Sequence, residues 1–380
     1  MNPNLTVPAL HHRNISLDVF RGMTICFMII VNTPGNGDTS FSPLQHAKWF
    51  GFTPTDLVFP SFLFAVGNAQ SFVTKKWANM KQSAVVWKIL KRTALIFLLG
   101  YLMYWFPFFR LDKDHHIVAA PMSHTRIMGV LQRIALCYGI ASLLLYYLKP
   151  KATVIICVAI LFLYWILLYW FGDPTDPLSM QGNAGFKLDK WLMGEDHMYH
   201  GEGVAFDPEG WLSTLPAIGN VVGGYIAGRW IQNKGNTYEG LTKLFLGGFA
   251  LLVCGYFWDL LFPISKKLWT SSFVVYTVGL DCIILATLTY FIDFQKKVKW
   301  TNFFQVFGRN PLFIYLVSEL LVTVLFMIPV GDTNLFRWVY QNIFSYAGAY
   351  LGSLLFAIAY MLLCWSVGYW LNKRKIYVRV

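Results

Sequence analysis

Stretches of about twenty mostly apolar residues, the length a helix needs to cross a bilayer, recur along this chain with short charged segments between them. Ten can be marked, at roughly 17–35, 54–74, 84–107, 125–148, 152–171, 211–230, 241–262, 271–292, 303–328 and 346–371. Only 13% of the 380 residues are charged and 56% are hydrophobic, against about 25% charged in soluble domains. No polar linker divides the chain. The expected fold is an all-α, polytopic transmembrane helix bundle of about ten spans, with residues 1–380 forming one domain. This pattern excludes a disordered chain, a disulfide-stapled secreted domain and an ordinary cytosolic enzyme. A cleavable signal peptide is not expected, because His11, His12 and Arg13 precede a first span that itself carries Asp18 and Arg21.

The formal charge of +12 raises the question of nucleic acid, but the basic residues fall in small clusters between apolar runs. Arg13 and Arg21, Lys75, Lys76 and Lys81, Lys149 and Lys151, Arg229 and Lys234, Lys296, Lys297 and Lys299, and Lys373, Arg374, Lys375 and Arg379 mark one set of loops. The loop at about 173–210 instead holds eight acids against Lys187 and Lys190. The positive-inside rule then places both termini in the cytoplasm and 173–210 outside it, and the bilayer rather than nucleic acid is the partner. Lys266 and Lys267 break the rule. The six cysteines sit inside apolar runs without CxxC or CxxH spacing, so they are expected to be small buried hydrophobes, with no metal site. His197 and His200 near Glu195 and Asp196 do not by themselves fix a zinc geometry. GxxxxGK[ST], GxGxxG after a strand, GxSxG and HExxH are missing, so nucleotide hydrolysis, hydride transfer and zinc proteolysis lack their usual signatures.

Ionisable groups inside apolar runs are expensive and need a partner or a purpose. Asp18 and Arg21, at i,i+3, form a helix-start ion pair or one wall of a cytoplasmic ligand entrance. His46 lies between Asn32, at the end of the first span, and Asp56, at the start of the second. That spacing suits either an interfacial aromatic loop or a general base whose tautomer a carboxylate sets. Arg126 and Arg133, at i,i+7 with Gln132 beside the second, share a helix face and can bind phosphate or pair with acids such as Asp56, Asp281 or Glu319. Asp207 and Glu209 immediately precede the sixth span, where acids favour a helix start or hold a polar substrate.

The run Ser16-Leu17-Asp18-Val19-Phe20-Arg21-Gly22 resembles the start of the membrane domain of the heparan-α-glucosaminide N-acetyltransferase family. The likeness continues through His46-Ala47-Lys48-Trp49-Phe50-Gly51, Asp56-Leu57-Val58-Phe59-Pro60, Gly129-Val130-Leu131-Gln132-Arg133, Asp196-His197-Met198-Tyr199, Asp207-Pro208-Glu209-Gly210, Lys267-Leu268-Trp269-Thr270-Ser271-Ser272 and Gly308-Arg309-Asn310-Pro311. The resemblance implies acetyl transfer from cytoplasmic acetyl-CoA to the amine of a terminal glucosamine across the membrane. It maps the catalytic histidine onto His46, the active-site asparagine onto Asn32 and the carboxylate onto Asp56. His46 is then the base or a transient acetyl carrier, and Asn32 the oxyanion donor. Arg126, Gln132, Arg133, Lys266 and Trp269 are the candidates for holding the coenzyme. Asp207 and Glu209, with Asp196 and His197, are the candidates for the sugar. The resemblance also implies a homodimer. The expected location is the bacterial inner membrane and the expected acceptor a bacterial amino sugar. The competing readings are an amino-sugar transporter without chemistry and a glycan O-acetyltransferase.

Overall fold

The computed structural model describes residues 14–111, 116–235 and 237–378. Thirteen α-helices make up most of it: α1 (Ile15–Asn32), α2 (Val58–Trp77), α3 (Gln82–Trp105), α4 (Val130–Tyr147), α5 (Pro150–Phe171), α6 (Ala184–Met193), α7 (Thr214–Lys234), α8 (Tyr238–Asp259), α9 (Ser271–Thr289), α10 (Thr301–Arg309), α11 (Pro311–Met327), α12 (Leu335–Val339) and α13 (Ala349–Lys373). Two antiparallel hairpins, Phe109–Leu111 with Ile117–Ala119 and Pro329–Val330 with Thr333–Asn334, are the described strands.

Each of the ten apolar stretches carries a helix, but they are not equivalent. Seven described helices are long and apolar enough to cross a membrane, or eight if the bent pair α10–α11 counts as one broken span. The protein is therefore a multi-pass membrane protein. The ten expected spans exceed that number because α3 carries Lys88, Lys91 and Arg92, and α7 carries Asn220 among several glycines. The α10–α11 axis turns by 83° at Asn310-Pro311, where the proline lacks an N–H and disfavours a helical residue before it. Similar local chemistry sets the ends of α1. The Asn14 side chain accepts from the Leu17 N–H at 3.2 Å, and the helix stops just before Pro34.

Burial separates a central layer from a lipid-facing one. The apolar windows of α1, α2 and α4 are each 61% buried, whereas those of α5 and α8 are 22% buried. Ile155, Phe162 and Trp170 of α5 and Leu246, Phe249 and Tyr256 of α8 project outward. Five cysteines are buried as expected, and Cys254 is exposed on α8.

Two helix pairs meet backbone to backbone. A Cβ on Gly67 of α2 would stand 1.8 Å from the Val221 carbonyl oxygen of α7, and one on Gly224 would stand 1.9 Å from that of Phe64. A Cβ on Gly22 of α1 would stand 1.8 Å from the Phe304 carbonyl oxygen of α10, and one on Gly308 would stand 2.1 Å from that of Asp18. Apolar side chains gain nothing by leaving lipid for one another, so such small-residue crossings are a main source of helix association in membranes.

The two described chain ends gather at one end of the bundle. Gly308 lies on Asp18, while the Asn310 side chain bonds the Ile376 carbonyl at 3.0 Å and the Val378 N–H at 2.9 Å. The segment 173–210 covers the opposite end and is packed rather than free. Phe186 and Met193 of α6, with Met128, Met198 and Phe206, form their own small core beneath it.

Candidate active site

His46 sits in the loop between α1 and α2, with its side chain 41% exposed. Its Nδ1–H donates to Asp56 Oδ1 at 2.7 Å, and Asp56 is wholly buried. The other carboxylate oxygen accepts from the Ala47 N–H at 3.1 Å, the Thr53 N–H at 2.9 Å and the Thr53 hydroxyl at 3.1 Å. Asp56 thus caps the start of its own helix while it holds the imidazole. The neutral tautomer that this bond selects leaves the Nε2 lone pair free to accept a proton.

The end of the α8–α9 connection reaches the same loop, through the Gly51 N–H donating to the Ile264 carbonyl at 2.8 Å. That contact brings Lys266 Nζ to 3.0 Å from His46 Nε2 and 3.3 Å from Nδ1. Burial pushes the Lys266 ammonium below the usual lysine range, against the opposing pull of Glu209 and Asp56. The second of the two anomalous lysines, Lys267, is paired with Glu202. Both of these lysines therefore have defined partners.

A second buried cluster stands beside the dyad. Arg126 Nε and Nη2 bond the two carboxylate oxygens of Asp207 at 3.0 and 2.7 Å, and Nη2 also reaches Glu209 Oε2 at 2.6 Å. The guanidinium lies 5.1 Å from the ring centre of Tyr104 and 4.7 Å from that of Tyr199. Burial raises the Asp207 carboxyl above its usual range despite Arg126. Burial also opposes ionisation of Glu209, but Arg126, Arg133 and Lys266 outweigh it and hold that carboxyl low. The acids that neutralise Arg126 are thus Asp207 and Glu209, and not the Asp56, Asp281 or Glu319 that helix spacing suggested.

Arg133 is fully buried in α4. Its Nη2 donates to the Gly210 carbonyl at 3.2 Å and to the Ser213 hydroxyl, and its guanidinium lies 4.7 Å from the Trp269 ring centre. Trp269 is itself buried, donates its indole N–H to Asn220 Oδ1 at 3.1 Å and holds φ at +53°. Among the described residues, Arg133 Nε and Nη1 and both ends of the Gln132 carboxamide have no hydrogen-bond partner. Such orphaned buried groups are uncommon in native proteins and mark places where a ligand or water can complete the pairing.

The other sequence candidates make their contacts elsewhere. The Asn32 amide donates to Glu319 Oε1 at 3.4 Å. Asp196 is 73% exposed and lies 3.6 Å from His124, and His197 Nδ1–H donates to the Thr125 carbonyl at 2.7 Å. Sequence reasoning missed Tyr104, Tyr199 and Thr53. The Thr53-Pro54-Thr55-Asp56 run carried a usable helix-start signal for Thr53, whereas nothing local marks the two tyrosines as neighbours of an arginine.

Two hollows flank these residues. On the side of the 173–210 segment, a groove of about 260 Å³ is lined by Trp49, Phe50, Asp176, Leu178, Ser179 and Met180. The Trp49 indole N–H, donating to the Leu178 carbonyl at 2.9 Å, ties its two walls together. Deeper in the bundle, toward the basic end, a crevice of about 110 Å³ runs between α1, α2, α3, α4 and α11. Arg21, Arg92, Gln70 and Tyr138 are its polar lining.

Residues 13–256 match the family described as heparan-alpha-glucosaminide N-acetyltransferase, catalytic. The enzyme named heparan-alpha-glucosaminide N-acetyltransferase from Homo sapiens is 26% identical over 374 residues, 82% of this chain and 53% of the human one. That of Mus musculus is 26% identical over 371 residues, 80% of this chain and 53% of its own. The chain spans about half the length of the curated relatives it matches.

Proposed function

The chain belongs to the heparan-alpha-glucosaminide N-acetyltransferase catalytic family, and from that premise we propose that it moves an acetyl group from acetyl-CoA to the amine of a glucosamine-type sugar. The observation that carries this reading is the His46–Asp56 pair, joined at 2.7 Å, at the end of the bundle opposite the described chain ends. Acetyl transfer to an amine needs a base and a donor for the acyl oxygen. His46 Nε2 takes the proton from the attacking amine and returns it to the departing thiolate. Asp56 holds the imidazole in the required tautomer and stabilises its charged form. The Asn32 carboxamide spends one N–H on Glu319 and keeps the second for the acyl oxygen.

The residues present fit acetyl-CoA by their chemistry. Arg21 and Arg92 line the crevice toward the basic end, where phosphates would be met. Gln132 and Arg133, with partnerless donors and an acceptor, suit the amide groups of a pantetheine arm. Arg126, held by two acids, and Lys266, beside His46, both lie at the acidic end, so the phosphate role goes to the cations of the basic-end crevice, Arg92 and Arg21, the latter already 3.9 Å from Asp18. Asp207 and Glu209 act by holding Arg126 rather than by meeting the sugar directly. Trp49 and Phe50 beside Asp176 offer aromatic faces and a carboxylate to an amino sugar, and the groove they line adjoins the His46 loop.

In this reading the basic end faces the cytoplasm and both termini lie there, so donor and acceptor approach from opposite sides and the sugar need not cross. Purified protein incubated with labelled acetyl-CoA and glucosamine tests the proposal. Acetylated glucosamine is the expected product, and folded protein that yields none overturns it. A transporter without chemistry would keep its substrate uptake when His46 is replaced by Ala.

A further inference from the structure

Lys266 occupies the place that an acceptor amine must take. Its Nζ is 3.0 Å from His46 Nε2, the distance at which a base removes a proton. The lysine is held there by the chain around it, since the Trp269 N–H donates to the Lys266 carbonyl at 3.1 Å and the Thr270 N–H to that of Ser265 at 3.1 Å. Burial also lowers the affinity of this amine for its proton, which enlarges the neutral, nucleophilic fraction. The neighbouring Lys267 is paired with Glu202 instead of His46.

We propose that Lys266 is an internal acceptor, acetylated by the protein's own active site when no sugar is bound. The proposal rests on acetyl-CoA being the donor. The neutral Nζ, having released one proton to water, attacks the thioester carbonyl. The N–C bond forms, the C–S bond breaks, and the second proton passes to His46 Nε2 and from there to the leaving thiolate. The products are Nε-acetyl-Lys266 and the coenzyme thiol. The reaction needs no group beyond the dyad and the donor. Its product is a neutral amide that places an acetyl group against His46 and removes a cation from beside Asp56 and Glu209. A sugar amine that reaches His46 displaces Lys266 and protects it, so the modification records donor without acceptor.

The full-length protein, kept in detergent with labelled acetyl-CoA and no sugar, is digested and its peptides are examined by mass spectrometry. Stable label is expected on Lys266 and none on Lys267. Saturating glucosamine should suppress it, and His46→Ala protein that elutes as wild type should lose it. Lys266→Arg, which keeps the cation but removes the acceptor amine, is the second variant and should lose the label in protein that elutes as wild type. Lys266 unlabelled in the sugar-free incubation, by protein that acetylates glucosamine when sugar is supplied, overturns the inference and leaves the proposed function standing. Lys266 modified with glucosamine untouched upholds the inference and removes the proposed acceptor. Label on neither overturns both.

Discussion

Replacing Asp56 with Asn tests the dyad at its most constrained atom. The substitution keeps size and shape but gives one side of the group an NH₂. Two backbone N–H groups, of Ala47 at 3.1 Å and Thr53 at 2.9 Å, converge on Oδ2, so the amide oxygen must stay there. The Thr53 hydroxyl is less demanding, because its proton can go to the Gln45 carbonyl at 2.7 Å. The new NH₂ is then driven against His46 Nδ1, where it donates instead of accepting. The imidazole must take the opposite tautomer, with its proton on Nε2 and no lone pair for the acceptor. Turning the amide round would orphan two buried donors at about 1–3 kcal/mol each. At roughly 1.4 kcal/mol per factor of ten, the productive orientation is then about 3% populated or less. The turnover number for acetyl transfer from acetyl-CoA to glucosamine should fall at least about thirtyfold, and as far as the roughly 10⁴ seen when a tautomer is reversed in a catalytic triad. Folding should survive, because the two backbone donors keep their acceptor. Turnover within about threefold of wild type, in protein with an unchanged melting profile, would show that His46 is not working as a base set by Asp56.

Gly224→Val should abolish the α2–α7 crossing, since even a Cβ there would lie 1.9 Å from the Phe64 carbonyl oxygen; loss of the monodisperse peak in size-exclusion chromatography is the expected result. Arg126→Met should cost about 3–5 kcal/mol by stranding Asp207 and Glu209, and adding Glu209→Gln should recover part of the lost thermal stability. Asp189, whose carboxylate accepts from the Trp211 N–H at 2.9 Å, is pushed by burial up to about 7. Its native form therefore holds a proton that the unfolded chain releases near pH 4, so stability should decline from about pH 4 to about pH 7 and stay lower above it. Asp189→Asn keeps the Trp211 acceptor and should remove that decline, read as melting temperature against pH.

Helix positions were legible because a bilayer imposes one length and one hydrogen-bonding solution on every span. The His46–Asp56 pair was legible for a related reason: His46 lies in the loop between two helix ends on the same side, only ten residues before Asp56. The α10–α11 bend was hidden, since residues 303–328 read as one apolar run and only Asn310-Pro311 breaks it. The neighbours of Arg126 were hidden too. Asp207 and Glu209 come from a segment about eighty residues away, and only the packing of 173–210 back over the bundle brings them in. Lys266 was visible as an anomaly of charge, but its place on His46 depends on the Gly51–Ile264 contact, for which an apolar pattern carries no signal.

The glycine crossing of α2 and α7 has a bearing on how this chain can change. Asp56 precedes Gly67 by 11 residues, about three helical turns, and Gly67 is pinned to the α7 backbone. The crossing is therefore the fixed mark from which the carboxylate's position is measured. Inserting one residue between them would carry Asp56 about 1.5 Å along the axis and turn it through about 100°, away from His46, without altering the hydrophobicity of the helix. Over this interval, side chains can drift while chain length cannot. A gap opened here in an alignment of two such proteins would mean that one of them no longer presents its histidine in the same way.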